Sequence, residues 1–464
     1  MSLKITLVNP PYPKAAHQHP PFIPLGLGYL GAVCEKAGYD VNVIDCQAKF
    51  LEFSEFEDML KKKSVDVIGV TSTTLTYKSA LRIARLARKV IPNCTIVLGG
   101  CHVTFWDEDA LKECSSLDVI VRGEGEETFL ELVQKLEKKG SLKNVKGITF
   151  RDSEGKTIRN EDRPFIDNLD ELPFPAHHLF PLKSFERGGK VIFPVTTSRG
   201  CVYWCDFCTA VRMFGKKYRM RSPKNVVDEL EFLVSKYAAK QFTFYDDAFT
   251  VDSKRTEKIC EEIRRRNLEI QWDCETRVDM VNENLLKKMK AAGCMAVWFG
   301  VESGSQQMIE KMHKGLKIEQ TRKAFKMVQN LGMMSVGGVV LGFPGETEET
   351  AWETINFIIK ELKPTDIGFY VATPYPGTPM YELVKEKGWL KVTDFNKYDT
   401  ATPIFETPYL SMEKLMEIRY KAHQKFYLRL THVIRMFGKG RIYGVSALKT
   451  SLAYLLRALR IRFS

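Results

Sequence analysis

The chain has 464 residues, 44% of them hydrophobic and 27% charged, a balance that builds two or three globular cores and excludes a disordered chain. No apolar run reaches the roughly 20 residues that span a bilayer, and Met1-Ser2-Leu3-Lys4 leads straight into a strand-like run with no signal peptide. The net charge is +12, yet residues 418–464 hold 11 Lys and Arg and no Asp or Glu, so the rest is nearly neutral.

Residues 1–140 alternate strands and helices. Strand-like runs fall at 5–9, 41–45, 65–71, 96–99 and 119–122, with helical patterns such as 25–37 and 78–90 between them. This predicts an α/β domain built on a doubly wound, Rossmann-like parallel sheet. Such sheets bind ligands at the carboxyl ends of their strands. Glycines and hydroxyls gather there: Thr71, Ser72 and Thr73 after the third strand, Gly99, Gly100 and His102 after the fourth, Gly123, Glu124 and Gly125 after the fifth. One such turn is ordinary βα chemistry. A set of them at one edge predicts a site where backbone approaches a flat ligand closely.

Residues 141–190 read as a linker. It starts with a hairpin, 147–151 and 156–159, around Asp152-Ser153-Glu154-Gly155. A proline-stiffened segment, 169–175, follows and is expected to cross the face between two domains.

Residues 191–387 carry six strand–helix units, with strands at 191–197, 242–245, 271–275, 296–301, 335–342 and 367–372. Six units predict a partial (β/α)6 barrel, whose chemistry belongs at the C-terminal strand ends. There stand Asp246, Asp247, Arg277, Glu302 and Ser303, the glycine-rich fifth strand around Gly338 and Leu341, and, after the first strand, Cys201, Cys205 and Cys208. Three thiolates spaced C-x3-C-x2-C on one loop suit three irons of a [4Fe–4S] cluster, which normally takes four cysteines. The next cysteine is Cys260, so the fourth iron is left for a non-protein ligand. A zinc site completed by a distant histidine has similar spacing and stays open as an alternative. The 11 cysteines form no short-loop disulfide framework, which suits a reducing cytoplasm.

The cysteine loop, with Phe207 just before the third cysteine, resembles that of the radical S-adenosylmethionine (SAM) superfamily. The whole chain resembles the branch with an N-terminal cobalamin-binding domain, notably in Pro24-Leu25-Gly26-Leu27-Gly28-Tyr29-Leu30 and the turn from Gly99 to His102. The D-x-H-x-x-G motif, whose histidine ligates cobalt in the wider cobalamin family, is absent. The first loop reads Pro11-Tyr12-Pro13-Lys14-Ala15-Ala16-His17-Gln18-His19. The resemblance implies three cofactors: a [4Fe–4S] cluster, SAM chelated to its open iron, and cobalamin held without a protein histidine. It also implies roles. Asp246 or Asp247 would meet the SAM amino group, Arg277 its carboxylate and Glu302 the ribose. Backbone from Gly338 to Leu341 and the Phe207 ring would meet adenine. As bland alternatives, Asp247 and Glu346 are suited to starting helices.

The tail places Leu448, Leu452, Leu455, Leu456 and Leu459 at helical spacing, with basic residues mostly off that stripe. Residues 388–464 are therefore expected to be a basic helical region that either docks on the enzyme body or meets an anionic membrane from the cytoplasmic side. No nucleic-acid module is recognisable. The resulting expectation is a radical SAM enzyme, reduced by a ferredoxin or flavodoxin. It abstracts hydrogen from an unactivated carbon and then methylates it, with a lipid or isoprenoid as the preferred small-molecule substrate. Radical cyclisation or C–C coupling, and a non-catalytic cobalamin or iron–sulfur sensor, are the alternatives.

Overall fold

A computed structural model describes residues 2–14 and 22–429. The first seven strands are β1 (Lys4–Asn9), β2 (Asp40–Asp45), β3 (Val67–Thr71), β4 (Thr95–Gly99), β5 (Val119–Val121), β6 (Ile148–Arg151) and β7 (Thr157–Arg159). They form one sheet ordered β2-β1-β3-β4-β5-β6-β7. The first five are parallel, the doubly wound order in which the chain reverses beside β1 and opens a crevice there. The expected hairpin is not a free linker. β6 pairs antiparallel with β5 and β7 with β6, so the N-terminal sheet runs on to Arg159.

The second sheet holds β8 (Glu186–Arg187), β9 (Lys190–Val195), β12 (Gln241–Phe244), β13 (Gln271–Thr276), β14 (Cys294–Glu302), β15 (Met334–Leu341) and β16 (Asp366–Val371). Its order is β16-β15-β14-β13-β12-β9-β8. Six strands are parallel, only the short β8 is antiparallel, and β9 does not pair with β16. The barrel is therefore partial. Each strand starts or ends within a few residues of its sequence-predicted limits. Two dipeptides, β10 (Ser198–Arg199) and β11 (Arg219–Met220), pair antiparallel and clasp the base of the cysteine loop.

The proline-stiffened segment lies where expected. Pro175 and Leu179 press on the helix Leu25–Lys36 at Gly28 and Gly31, where an added Cβ would meet them at 3.0 and 2.6 Å. Phe174 reaches Phe232 on the first barrel helix. Apolar clusters cross between the two halves on both faces of the N-terminal sheet, so burial holds the halves together.

The acid-free run begins inside a helix, Met412–Tyr427, that packs on the barrel: Ile418, Ala422 and Phe426 are buried. This part of the run belongs to the enzyme body. The leucine stripe after Ser446, and His17 and His19, lie outside the described residues. No helix among the described residues is long and apolar enough to cross a membrane.

Candidate functional site at the interdomain cavity

The carboxyl ends of both sheets open onto one cavity of about 260 Å³. Thr71, Gly99, Gly100, Gly123, Glu124 and Gly125 line it from the first sheet; Ser198, Arg199, Tyr245 and Asp247 line it from the second. Gly100 shows why one of the glycines is required. It has φ 102°, and a Cβ there would stand 2.3 Å from the Ser72 carbonyl oxygen. Gly123, also at positive φ, faces open space, a cradle that a flat ligand can fill.

Other strand-end residues of the first sheet have tasks within the protein. Ser72 donates its hydroxyl to the Gly99 carbonyl (3.0 Å), and Thr73 shares its hydroxyl with Thr76. His102 is 2% exposed and packed among Tyr77, Trp106 and Phe395. Its Nδ1 lies 3.1 Å from the Thr74 hydroxyl, and burial, helped by Lys78, pulls its pKa down to about 3. A neutral histidine inside an aromatic cage packs as a core residue does, while its Nε2 is buried and finds no hydrogen-bond partner among the described residues.

Glu124 is likewise committed. It accepts from Arg199 Nη1 (3.0 Å), from Arg219 Nη1 with both oxygens (2.9 Å each) and from the Ile166 N–H (2.8 Å). Arg199 reaches on to Glu126 at 2.5 Å. Burial works against the Glu124 charge, but the two arginines hold its carboxyl below the usual range. Arg199 and Arg219 face each other across the clasp, and like charges there need an acid between them. Glu124 therefore fastens the cysteine loop of one half to the sheet edge of the other.

Within the barrel, Asp246 is 1% exposed and accepts from the Thr197 and Ser198 N–H groups (2.6 and 3.0 Å) and from the Thr197 hydroxyl. It pins the approach to the cysteine loop from within the protein. Asp247 differs. It is exposed on the cavity wall and has no hydrogen-bond partner among the described residues. Burial, then Asp246, raise its pKa to about 6. Neither Asp247 nor Glu346 caps a helix: Asp252 and Thr347 do.

Glu302 ends β14 at φ 60°, beside a register shift in the strand, and Lys314 holds it at 2.5 Å. Backbone strain of this kind concentrates at functional sites. Arg277 forks onto Asp279 (3.0 and 3.1 Å) and lies 3.3 Å over the Tyr203 ring. Ser303 is wholly buried against the Thr354 hydroxyl. Leu341 is buried too, and its carbonyl already accepts from Ala372. Gly338 lies under the ring of Tyr370. Phe207 packs edge-on to Phe343 with Lys314 6.0 Å above its ring.

The cysteine loop is pinned by backbone bonds: Cys201 to Gly215, Asp206 to Met312, and Met380 to Asp206. Burial pushes all three thiols up, Cys208 to about 12. The Lys314 charge opposes this at Cys205, as Arg277 and Lys314 do at Cys201. Buried thiols with raised pKa ionise when a metal offsets the charge. Cys208 Sγ also accepts the Ala210 N–H (3.4 Å), as a ligand sulfur does. Cys260, Cys274 and Cys294 are buried and interact with one another, leaving the loop with three cysteines. Among the described residues no three acidic, His or Cys side chains already stand at ligand distances, so a cluster would draw the thiolates together. The residues fit the group in kind and number.

Residues 16–133 match the B12 binding domain and residues 195–358 the radical SAM superfamily. An uncharacterised methyltransferase of Pyrococcus horikoshii is 37% identical over 92% of this chain and 93% of its own length.

The chain belongs to the cobalamin-dependent radical SAM enzymes.

An anaerobic magnesium-protoporphyrin IX monomethyl ester cyclase of Cereibacter sphaeroides is 29% identical over 92% of this chain and 71% of its own. The fold is that of the radical SAM methyltransferase TsrM of Kitasatospora setae, solved with cobalamin and a [4Fe–4S] cluster bound. The TM-score is 0.73 and the identity 18%, over 92% of this chain and 89% of that one. The residues that composition and spacing missed are Arg199, Arg219 and Lys314. Each is an ordinary basic residue until the fold brings it to a buried carboxylate.

Proposed function

We propose that this enzyme methylates an unactivated carbon of a small-molecule substrate in the cavity between its two halves. The observation that carries the reading is the sharing of that cavity by the glycine edge of the first sheet and the Asp247 edge of the second. Its cofactors are a [4Fe–4S] cluster, SAM and cobalamin, which together supply hydrogen abstraction from carbon and a transferable methyl group. Cys201, Cys205 and Cys208 would hold the cluster. Asp247, unpartnered and with its pKa near 6, would ionise against the SAM ammonium. Glu302, oriented by Lys314, would accept the ribose hydroxyls. Arg277, fixed by Asp279 and Tyr203, would keep positive potential beside Cys201. Gly99, Gly100, Gly123 and Gly125 would lie against the corrinoid face, and the apolar cavity walls would exclude water.

The preference for a lipid or isoprenoid substrate came from the basic tail. The concave face of the barrel favours a substrate with hydrogen-bond donors. Glu275, Asp273, Asp247 and Glu302 lie close enough that burial and those three acids raise Glu275 to about 7, and Tyr245 and Tyr370 stand exposed nearby.

The test is anaerobic reconstitution of the full chain, followed by product analysis with methyl-labelled SAM. About four irons per chain are expected, with both 5′-deoxyadenosine and S-adenosylhomocysteine released and label in the substrate fraction. The triple Cys201→Ala, Cys205→Ala, Cys208→Ala protein should lose iron and both products. Retained iron in that variant overturns the cluster assignment. Deoxyadenosine without S-adenosylhomocysteine moves the reading to radical cyclisation or C–C coupling. Neither product from a fully loaded protein leaves a non-catalytic sensor.

A further inference from the structure

We propose that the outward face of the cysteine loop, centred on Trp204 between Arg212 and Lys216, docks a small acidic protein that delivers single electrons to the cluster. The proposal rests on the function above, since it requires a cluster on the loop.

The loop alternates inside and outside. Cys201, Tyr203 and Cys205 turn inward, while Val202 and Trp204 are 49% and 46% exposed. A large aromatic that wet, one residue from a cluster cysteine, fills no core. Tryptophan and arginine are the side chains most enriched at protein interfaces. The Lys216 ammonium lies 4.2 Å and the Arg212 guanidinium 4.8 Å from the Trp204 ring centre, so the ring holds two cations at the surface. Neither cation has a carboxylate partner within salt-bridge distance among the described residues. Asp206, the acid within the loop, is turned to His313 (2.8 Å), and Lys217 next door spends its charge on Asp167 (2.7 Å). Arg212 Nη1 also donates to the Cys208 carbonyl (2.9 Å), so the patch touches the backbone of a second cluster cysteine.

The charge pattern sets the partner's chemistry. Two cations without a salt-bridged acid, around an exposed aromatic and with Asp206 near Arg212 turned to His313, complement an acidic protein surface. The chemistry of the site sets its task. Reductive cleavage of SAM consumes one electron, and on the inner side of the loop Cys201 and Cys208 lie close enough to Asp247 of the cavity wall to feel its charge. The electron must enter through the outer face. In the step, the carrier's reduced centre loses one electron and the oxidised cluster gains it, with no bond made or broken. An acidic, low-potential one-electron carrier fits this face in both respects.

The test uses the reconstituted full-length protein and flavodoxin as the probe. Affinity is measured directly between oxidised flavodoxin and immobilised protein at several salt concentrations. SAM cleavage is measured in parallel with flavodoxin hydroquinone and with dithionite. Lys216→Glu should weaken flavodoxin binding about tenfold, and wild-type binding should fall with salt. The flavodoxin-driven rate should fall with it, while the dithionite-driven rate stays within twofold. Trp204→Leu, a second variant with unchanged iron content, should weaken binding similarly. Equal binding by wild type and Lys216→Glu, salt-independent binding, or no binding by wild type overturns the docking site. A wild type that binds flavodoxin but cleaves no SAM with dithionite overturns the proposed function instead.

Discussion

Removing the Glu124 carboxylate should weaken the join between the two halves more than any surface ion pair could. In Glu124→Ala, Arg219 loses its carboxylate contacts and keeps only the carbonyls of Ile166 (2.6 Å) and Phe214 (3.0 Å). Arg199 keeps Glu126. The two arginine side chains are 9% and 1% exposed, so water cannot take the place of the acid. Stranding a buried charge in this way costs about 3–5 kcal/mol, whereas exposed pairs such as Lys61–Asp58 are worth ~0–1 kcal/mol. Glu124→Gln retains a neutral acceptor and should lose roughly half as much. The assay is urea unfolding followed by tryptophan fluorescence. Because a two-domain chain need not unfold in one step, the loss should fall in the transition that exposes the clasp. Adding Arg219→Met to Glu124→Ala removes the stranded cation and should recover ~1 kcal/mol or more. A Glu124→Ala protein within 0.5 kcal/mol of wild type, or strictly additive losses in the double variant, would refute the reasoning.

Two further outcomes follow from buried titratable groups. His102→Ala should destabilise the fold by about 2–4 kcal/mol, as emptying a packed site does, and leave the visible spectrum of bound corrinoid unchanged; an altered spectrum would put the imidazole on cobalt. Glu346 is 1% exposed and takes a bond from the Gly342 N–H, but burial raises its pKa to about 8. Its folded value lies above its unfolded one, so its contribution is full at low pH and lost as pH rises through about 8. Glu346→Gln should match wild type in Tm near pH 4 and exceed it by a margin that widens as pH rises to about 8; parallel Tm curves would show that Glu346 is already ionised.

Periodicity located the barrel because each parallel strand is a short apolar run closed by a turn, and buried parallel strands carry that signature whatever surrounds them. The cysteine loop was legible because its three cysteines are close in sequence. Partners far apart in sequence were not. Asp246 and Asp247 are indistinguishable as neighbours, and only the turn of the strand sends one under the loop backbone and the other into the cavity. His102 read as a possible contact, and nothing near it in sequence announces the segment around Phe395, nearly three hundred positions on, that closes an aromatic cage over it. The hairpin of β6 and β7 read as a linker because nothing local tells a free hairpin from one that extends a sheet.

An incomplete barrel leaves a bare strand edge, and bare edges recruit other chains. Here the edge is β16, and the helix Met412–Tyr427 lies along it. Arg419 donates to the Phe369 carbonyl (2.8 Å) and the Tyr427 hydroxyl to the Ile367 carbonyl (2.8 Å). Side chains from a helix thus occupy acceptors that a seventh parallel strand would have used. The opposite end of the sheet stops at β8, two residues long, too short to template a neighbour. The barrel can therefore stay open without polymerising along its own gap, and a chain ended before residue 412 is expected to lose that protection and aggregate while keeping every residue of the cysteine loop.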